Sequence, residues 1–309
     1  MSAVPTREIA YVTLDVFTTQ RFGGNPLAVI TDARGLDTAA MQMIAREFNY
    51  SETTFVLPPC DGANTAAVRI FTPRAELPFA GHPNVGTGFV LAGMGRLFGR
   101  APGEVLRFEE TAGLVPVRIL RAGGRVAGAE LTAPERLSRG RTLAVESAAA
   151  CLGLPPSAIV TSSHRPEVAS VGLAFLCVEL ADRAALALAV PHAELFAREL
   201  LPIGTDAIML YMRDGGRGPG ALRARVFAPL HGVTEDPATG SAGAALAALL
   251  TDLDPAAEGE WRYDIIQGEE MGRPSRLEAA VQKRNGTVTE TRIGGACAPV
   301  MRGTLTLDG

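Results

Sequence analysis

One pattern occurs twice in this chain, and the repeat constrains the fold more than any other feature. Arg69-Ile70-Phe71, with proline at 73, recurs as Arg225-Val226-Phe227, with proline at 229. His82-Pro83-x-x-Gly86-Thr87 recurs as Asp236-Pro237-x-x-Gly240-Ser241. About half of the 309 residues separate the copies. Each loop runs into a stretch without charge, VGTGFVLAGM from Val85 and GSAGAALAALL from Gly240. A helix that is apolar on all sides has to be buried on all sides, and small residues let strands come close around it. The repeat therefore predicts an α+β protein of two pseudo-symmetric domains. Each is a β-sheet curled into a barrel about a central helix.

The order of elements agrees in both halves. The first half reads as strands IAYVTLDVF and LAVIT around the turn RFGGNP, then a helix. Asp37 suits its N-cap, Leu36 and Met41 can form a hydrophobic staple, and Asn49 can end it. Met41, Ile44 and Phe48 share one face. TTFVLPP, AAVRIFTP and LRFEETAGLVPVRIL then read as strand material. In the second half AFLCVEL, AIMLYMR, ALRARVFAP and YDIIQGEEMGRPSRLEAAV repeat the strands. PHAELFAREL reads as a helix with Pro191 in its first turn. The polar stretch TAPERLSRGRTLAVES reads as a linker. The domains expected are 1–132 and 133–296, with a final strand at 297–309 packing back on the first.

Net charge of −4 and a pI near 5.7, without any basic run, argue against nucleic acid or an anionic membrane as partner. No stretch approaches the roughly 18 apolar residues of a membrane span. MSAVPTREIA lacks the apolar core of a signal peptide, so a cytoplasmic protein is expected. Cys60, Cys151, Cys177 and Cys297 are scattered, with neither zinc spacing nor a disulfide framework. His164, His192 and His231 show no metal spacing. Phosphate-cradling and serine-elbow motifs are absent. No metal and no cofactor is implied.

What remains is the chemistry of the two loops. Proline at a first helical position makes the residue before it an N-cap candidate, here His82 and Asp236. A buried helix start leaves N–H groups that an anionic ligand can satisfy. Two such starts facing one cleft would hold a small-molecule carboxylate, with His82 and Asp236 at its edges. Taken singly, His82 reads as a loop histidine, Asp236 as a cap, and Thr87 and Ser241 as hydroxyls bonding to backbone. Glu52, where the amphipathic helix gives way to a strand, reads either as an exposed strand-start residue or as a general acid/base. A carboxyl desolvated by apolar neighbours rises towards neutrality and can both take and return a proton.

The segments DVFTTQRFGGNPLAVI, MIAREFNYSETTFVL, RIFTPRAELPFAGHP, VFAPLHGVTEDPATGSA and IIQGEEMGRPS together resemble the phenazine-biosynthesis-like PhzF family, of the diaminopimelate epimerase-like fold. The resemblance implies a cofactor-free isomerase, a homodimer, and an active site between the two domains. It places the acid/base glutamate on Glu52 and polar site residues on His82, Asp236 and Ser241, with Gly81 and Gly240 lending backbone near the substrate. Epimerases of this fold use two cysteines, and the corresponding loops here carry none. The family's namesake isomerises trans-2,3-dihydro-3-hydroxyanthranilate, so that substrate is expected. A non-catalytic binder of an aromatic carboxylate is the alternative.

Overall fold

A computed structural model describes residues 6–308. Residues 1–5 and 309, which the expected domain limits include, lie outside the described residues. The chain forms two compact units: residues up to Leu131 together with those from Gly295 onward, and Thr132–Gly294.

The first unit contains β1 (Thr6–Val16), β2 (Asn25–Ile30), α1 (Thr38–Phe48), β3 (Glu52–Leu57), β4 (Ala66–Phe71), β5 (Glu76–Leu77), α2 (Gly81–Gly93), β6 (Val105–Glu110), β7 (Gly113–Ala122) and β8 (Arg125–Thr132). The local signals that build α1 are the ones read from sequence. The Asp37 carboxylate accepts from Ala40 N–H, and Asn49 ends the helix in the left-handed conformation. Met41 and Ile44 bury against Phe55 and Phe71. β2 pairs in parallel with β3 across α1, and β4 with β6 across α2. The chain's last strand returns to pair with both β1 and β8. The eight strands β1, β2, β3, β4, β6, β7, β8 and this last one therefore form a closed ring. α2 lies inside it, against β1, β2, β3 and β7.

Glycine makes that closure possible. A Cβ on Gly86 would stand 2.5 Å from Leu27 Cδ2 and 2.8 Å from Val16 Cγ2, and one on Gly88 would stand 2.7 Å from Val117 Cγ1. No side chain fits at either position without moving the wall of the barrel.

The second unit contains β9 (Ser138–Thr142), α3 (Val145–Cys151), β10 (Glu167–Ser170), β11 (Ala174–Glu179), α4 (Arg183–Leu188), α5 (Ala193–Leu195), β12 (Ile208–Arg213), β13 (Ala221–Ala228), β14 (Val233–Asp236), α6 (Gly240–Leu253), β15 (Gly259–Gln267), β16 (Ser275–Arg284) and the first part of β17 (Thr287–Asp308). Its parallel pairs, β11 with β12 and β13 with β15, repeat those of the first unit. α6 packs against β10, β11, β12, β15 and β16. Nearly every residue from Gly240 to Thr251 is buried. The C-terminal end of α6 is closed by Lys283, the only lysine in the chain. Its Nζ donates to the carbonyls of Thr251, Asp252 and Asp254.

The recurring Arg-x-Phe pattern has the same structural role twice. Arg69 pairs with Glu76 of β5 at 2.6 Å and lies 5.1 Å over the Phe71 ring. Arg225 pairs with Glu235 of β14 at 2.8 Å and lies 4.7 Å over Phe227. Each arginine pins a short strand that leads into a central helix.

Three readings of the sequence are corrected. The stretch 132–147 is not an unstructured linker. It carries β9, whose residues are all exposed, and the start of α3. An exposed strand is polar on both faces and looks like a loop in sequence. PHAELFAREL is not one regular helix: α5 passes into a π-helical turn at Phe196–Leu200 and a 3-10 turn at Leu201–Ile203. Pro191 precedes its N-cap, His192, rather than occupying its first turn. Finally, neither His82 nor Asp236 is a helix N-cap. α2 begins at Gly81 after Ala80, and α6 at Gly240 after Thr239.

Candidate active site

Glu52 opens β3, four residues after α1 ends. Side chains alternate along a strand, so Glu52 and Thr54 share a face. Thr54 Oγ1 meets Thr87 Oγ1 of α2 at 2.8 Å. Glu52 therefore points at α2, where its Oε2 lies 3.3 Å from His82 Nδ1. The Glu52 side chain is 17% exposed and that of His82 7%. Burial raises the Glu52 carboxyl from about 4.5 to about 7, against a smaller opposing effect of the Ser51 hydroxyl. Ser51 in turn bonds Asn25 Oδ1 at 2.9 Å. The bland reading of Glu52 as an exposed strand-start residue does not hold, and Thr87 bonds a side chain rather than backbone. Gly81 and His82 are the first two helical residues of α2, so the helix begins on these residues.

In the second unit Asp236 ends β14, in register with Val226. Its carboxylate accepts from the Thr239 hydroxyl. Its carbonyl accepts from Gln267 Nε2 at 2.8 Å, while Thr239 N–H donates to Gln267 Oε1 at 3.2 Å. The buried Gln267 amide thus spans the Asp236–Thr239 loop, ahead of Gly240 and Ser241 at the start of α6. Gly268 beside it has φ +76, and a Cβ there would stand 2.6 Å from the Pro237 carbonyl oxygen. This accounts for the Gln-Gly of IIQGEEMGRPS, whose role in the loop the sequence reading missed.

Two further residues of the first unit were missed. Asn84, wholly buried in the first turn of α2, donates from Nδ2 to the Ala80 carbonyl at 3.0 Å. Glu110 ends β6, and both its carboxyl oxygens are buried without a hydrogen-bond partner among the described residues. Burial raises this carboxyl to about 8, with the Asn84 amide beside it acting weakly in the other direction. The signal was present in VLRFEE, where alternation puts Glu110 on the inward face with the buried Leu106 and Phe108.

The cysteines are remote from these groups in character. Cys151, Cys177 and Cys297 are buried, and burial pushes Cys151 up to about 11 and raises the other two thiols as well.

A barrel closed on a central helix, and a second unit that repeats its parallel strand pairs around a helix of its own, make up the epimerase-like fold. Residues 14–303 match the family described as "Phenazine biosynthesis-like protein". The chain belongs to that family. It is 38% identical over 303 residues to an uncharacterised isomerase of Mesorhizobium japonicum, covering 96% of this chain and 98% of the relative. It is 35% identical over 299 residues to the trans-2,3-dihydro-3-hydroxyanthranilate isomerase of Pseudomonas chlororaphis, covering 96% and 99%. The fold is that of a Bacillus anthracis phenazine biosynthesis protein of the PhzF family, with TM-score 0.86, 24% identity, and coverage of 97% and 99%.

Proposed function

We propose that the protein is a cofactor-independent isomerase that moves a proton within a small cyclic carboxylate, with Glu52 as general acid/base. The observation that carries this is the buried Glu52 carboxyl, raised to about 7 and 3.3 Å from His82. At neutral pH such a group is divided between its two forms, as a group that must both accept and return a proton requires. The ionised carboxylate takes a proton from a ring C–H that neighbouring double bonds acidify. The electron pair spreads through the conjugated system. The protonated carboxyl then delivers the same proton to a different ring carbon, and the product is an isomer of equal mass. His82 orients the carboxyl. Gly81, Asp236, Gly240 and Ser241 are assigned to holding the substrate, on the family resemblance. Relatives named trans-2,3-dihydro-3-hydroxyanthranilate isomerase support that compound as the substrate.

The test is turnover of that compound in D₂O, with deuterium uptake read by NMR. Glu52→Gln keeps shape but cannot carry a proton. It should lower turnover by about 10²-fold or more, the scale of a lost general acid/base, with ligand affinity near wild type. Asp236→Asn and His82→Ala should reduce both. Wild-type turnover and exchange in Glu52→Gln would overturn the assignment. Titration with 3-hydroxyanthranilate and with 2-aminophenol, which lacks the carboxyl group, checks the carboxylate requirement. Equal affinity for the two would overturn it.

A further inference from the structure

The barrel holds a second inward-facing carboxyl that this proton transfer does not use. Glu110 and Glu52 approach α2 from different strands, β6 and β3. Glu52 meets His82, and Glu110 lies beside Asn84, two residues further along the same helical turn. Residues two apart on a helix point in nearly opposite directions, so the two acids reach α2 from different sides.

Three observations show what Glu110 has to do there. First, the residue before α2, Ala80, makes no side-chain hydrogen bond to the helix start, and its carbonyl is held instead by Asn84, whose Nδ2 donates to it. Second, Asn84 Oδ1 is buried without a hydrogen-bond partner among the described residues, as are both oxygens of Glu110. An ionised carboxylate has no hydrogen to give to an amide oxygen, whereas a carboxylic acid has one. Third, the charged groups nearby are otherwise engaged. Glu109 faces the opposite way and accepts from Cys60 and Asp61 N–H and from Asn64. Glu76, on the strand preceding α2, is held by Arg69, and His82 by Glu52. Across the β6–β7 hairpin Glu110 stands opposite Gly113, which has no side chain.

We propose that Glu110 is a positioning residue: as a neutral carboxylic acid it donates to Asn84 Oδ1, and Asn84 donates to the Ala80 carbonyl, fixing the peptide that presents Gly81 and His82. The chain of bonds runs Glu110 to Asn84 to Ala80. Removing the Glu110 proton turns the first link into a contact between acceptors, and the amide has to turn or withdraw. Burial raises the carboxyl to about 8, so the acid form prevails at neutral pH and the link is lost above it. The inference rests on the reading of Glu52 and His82 as the reacting pair, because it assigns Glu110 to their support.

The test is an NMR pH titration of the full chain without ligand, in wild type, Glu110→Gln, Asn84→Ala and Glu52→Gln. In wild type a glutamate carboxyl carbon should titrate near 8 and vanish in Glu110→Gln. The Asn84 side-chain amide and the Gly81 backbone amide should shift with that same midpoint. Glutamine donates at every pH, so Glu110→Gln should hold both amides at their low-pH positions throughout. Asn84→Ala should uncouple Gly81 from the Glu110 titration. Glu52→Gln should abolish a separate transition near 7 sensed at His82 and leave the Asn84 shift intact. A Glu110 carbon titrating in the ordinary carboxyl range, or titrating near 8 while Asn84 and Gly81 stay still, overturns the proposal. Loss of the His82 transition near 7 from wild type itself would instead overturn the reading of Glu52. With dihydrohydroxyanthranilate as substrate, Glu110→Leu should lower kcat about 10-fold with KM within about 2-fold, the loss expected when a general acid/base is misplaced. Glu110→Gln should restore kcat and remove the decline above pH 8. Unchanged kcat in Glu110→Leu would also overturn the assignment.

Discussion

Glu52 and Glu110 are costly residues for a barrel to keep. Each carboxyl titrates higher in the folded chain than in the unfolded one, about 7 and about 8 against an ordinary 4.5. Between these values the folded state binds more protons, so stability is full below about pH 4.5 and falls as pH rises through the folded values. The slope is about 1.4 kcal/mol per pH unit for each proton. Glu52→Gln removes one such titration. Its denaturation midpoint should match wild type near pH 4.5 and exceed it at pH 8, by roughly 1–3 kcal/mol of stability. Urea melts at the two pH values check this, and a variant less stable than wild type at pH 8 would contradict it. That Glu52 sits at a helix-to-strand corner was legible in sequence, because Asn49 ends α1 and β-branched residues follow. Its burial was not, since the groups that surround it come from distant strands. Glu110 shows the same limit: alternation points it inward, but only the partner Asn84 reveals what it meets.

At the scale of elements, the two central helices share a pattern and differ in fit. Gly86 of α2 touches Leu27 and Val16 too closely for a methyl group, whereas a Cβ on Gly243 of α6 would find its nearest neighbour, Ile265 Cδ1, at 3.3 Å. Gly86→Ala should destabilise by about 1–3 kcal/mol through overpacking. Gly243→Ala should be near neutral, because the gain in helix propensity of up to about 1 kcal/mol offsets a slight displacement of Ile265. Thermal unfolding of both variants decides, and equal losses would show that the fit of the helices is alike. Lys283 provides a second element-scale test. Its ammonium is buried and satisfies three carbonyls at the end of α6. Lys283→Met keeps the length but strands those acceptors, and should cost about 2–4 kcal/mol. An unchanged melting temperature would show that the lysine is dispensable. The uncharged run identified α6 in sequence. Nothing local linked Lys283 to it, because the two lie on elements joined only by folding.

At the scale of the molecule, the last strand deserves the closest test. β17 is 22 residues long; it pairs with β16 over its first part and with β1 as far as Thr6↔Asp308. Its later half closes the ring of the first unit. Where β8 meets it, Gly128 lies so near the Gly295 carbonyl that a Cβ would stand 2.0 Å from the oxygen. Removing residues 297–309 takes away the residues that pair with β1 and should leave β1 as an open edge on a barrel whose helix has no polar face. Exposed edges of this kind pair between chains. The truncated chain should bind a hydrophobic dye and aggregate, as followed by fluorescence and light scattering. A monomeric truncation with wild-type thermal stability would show that β17 does not close the barrel.

The sequence by itself determined the duplication, the class of fold, the two uncharged helices, the caps of α1 and the family. The family rests on the resemblance of its motifs; the others rest on local periodicity, capping chemistry and composition, which act between residues close in the chain. It also marked Glu52, His82 and Asp236 as the residues to watch. Only the tertiary structure decided where the helices begin, that Glu52 and His82 touch, and that the Asn84 amide holds the Ala80 carbonyl at the start of α2. It also revealed Gln267 as the brace of the Asp236 loop. The physical reason is common to all four. A buried polar group takes its protonation and its partner from whatever the fold packs against it, and those neighbours are brought together by strand pairing across long stretches of chain.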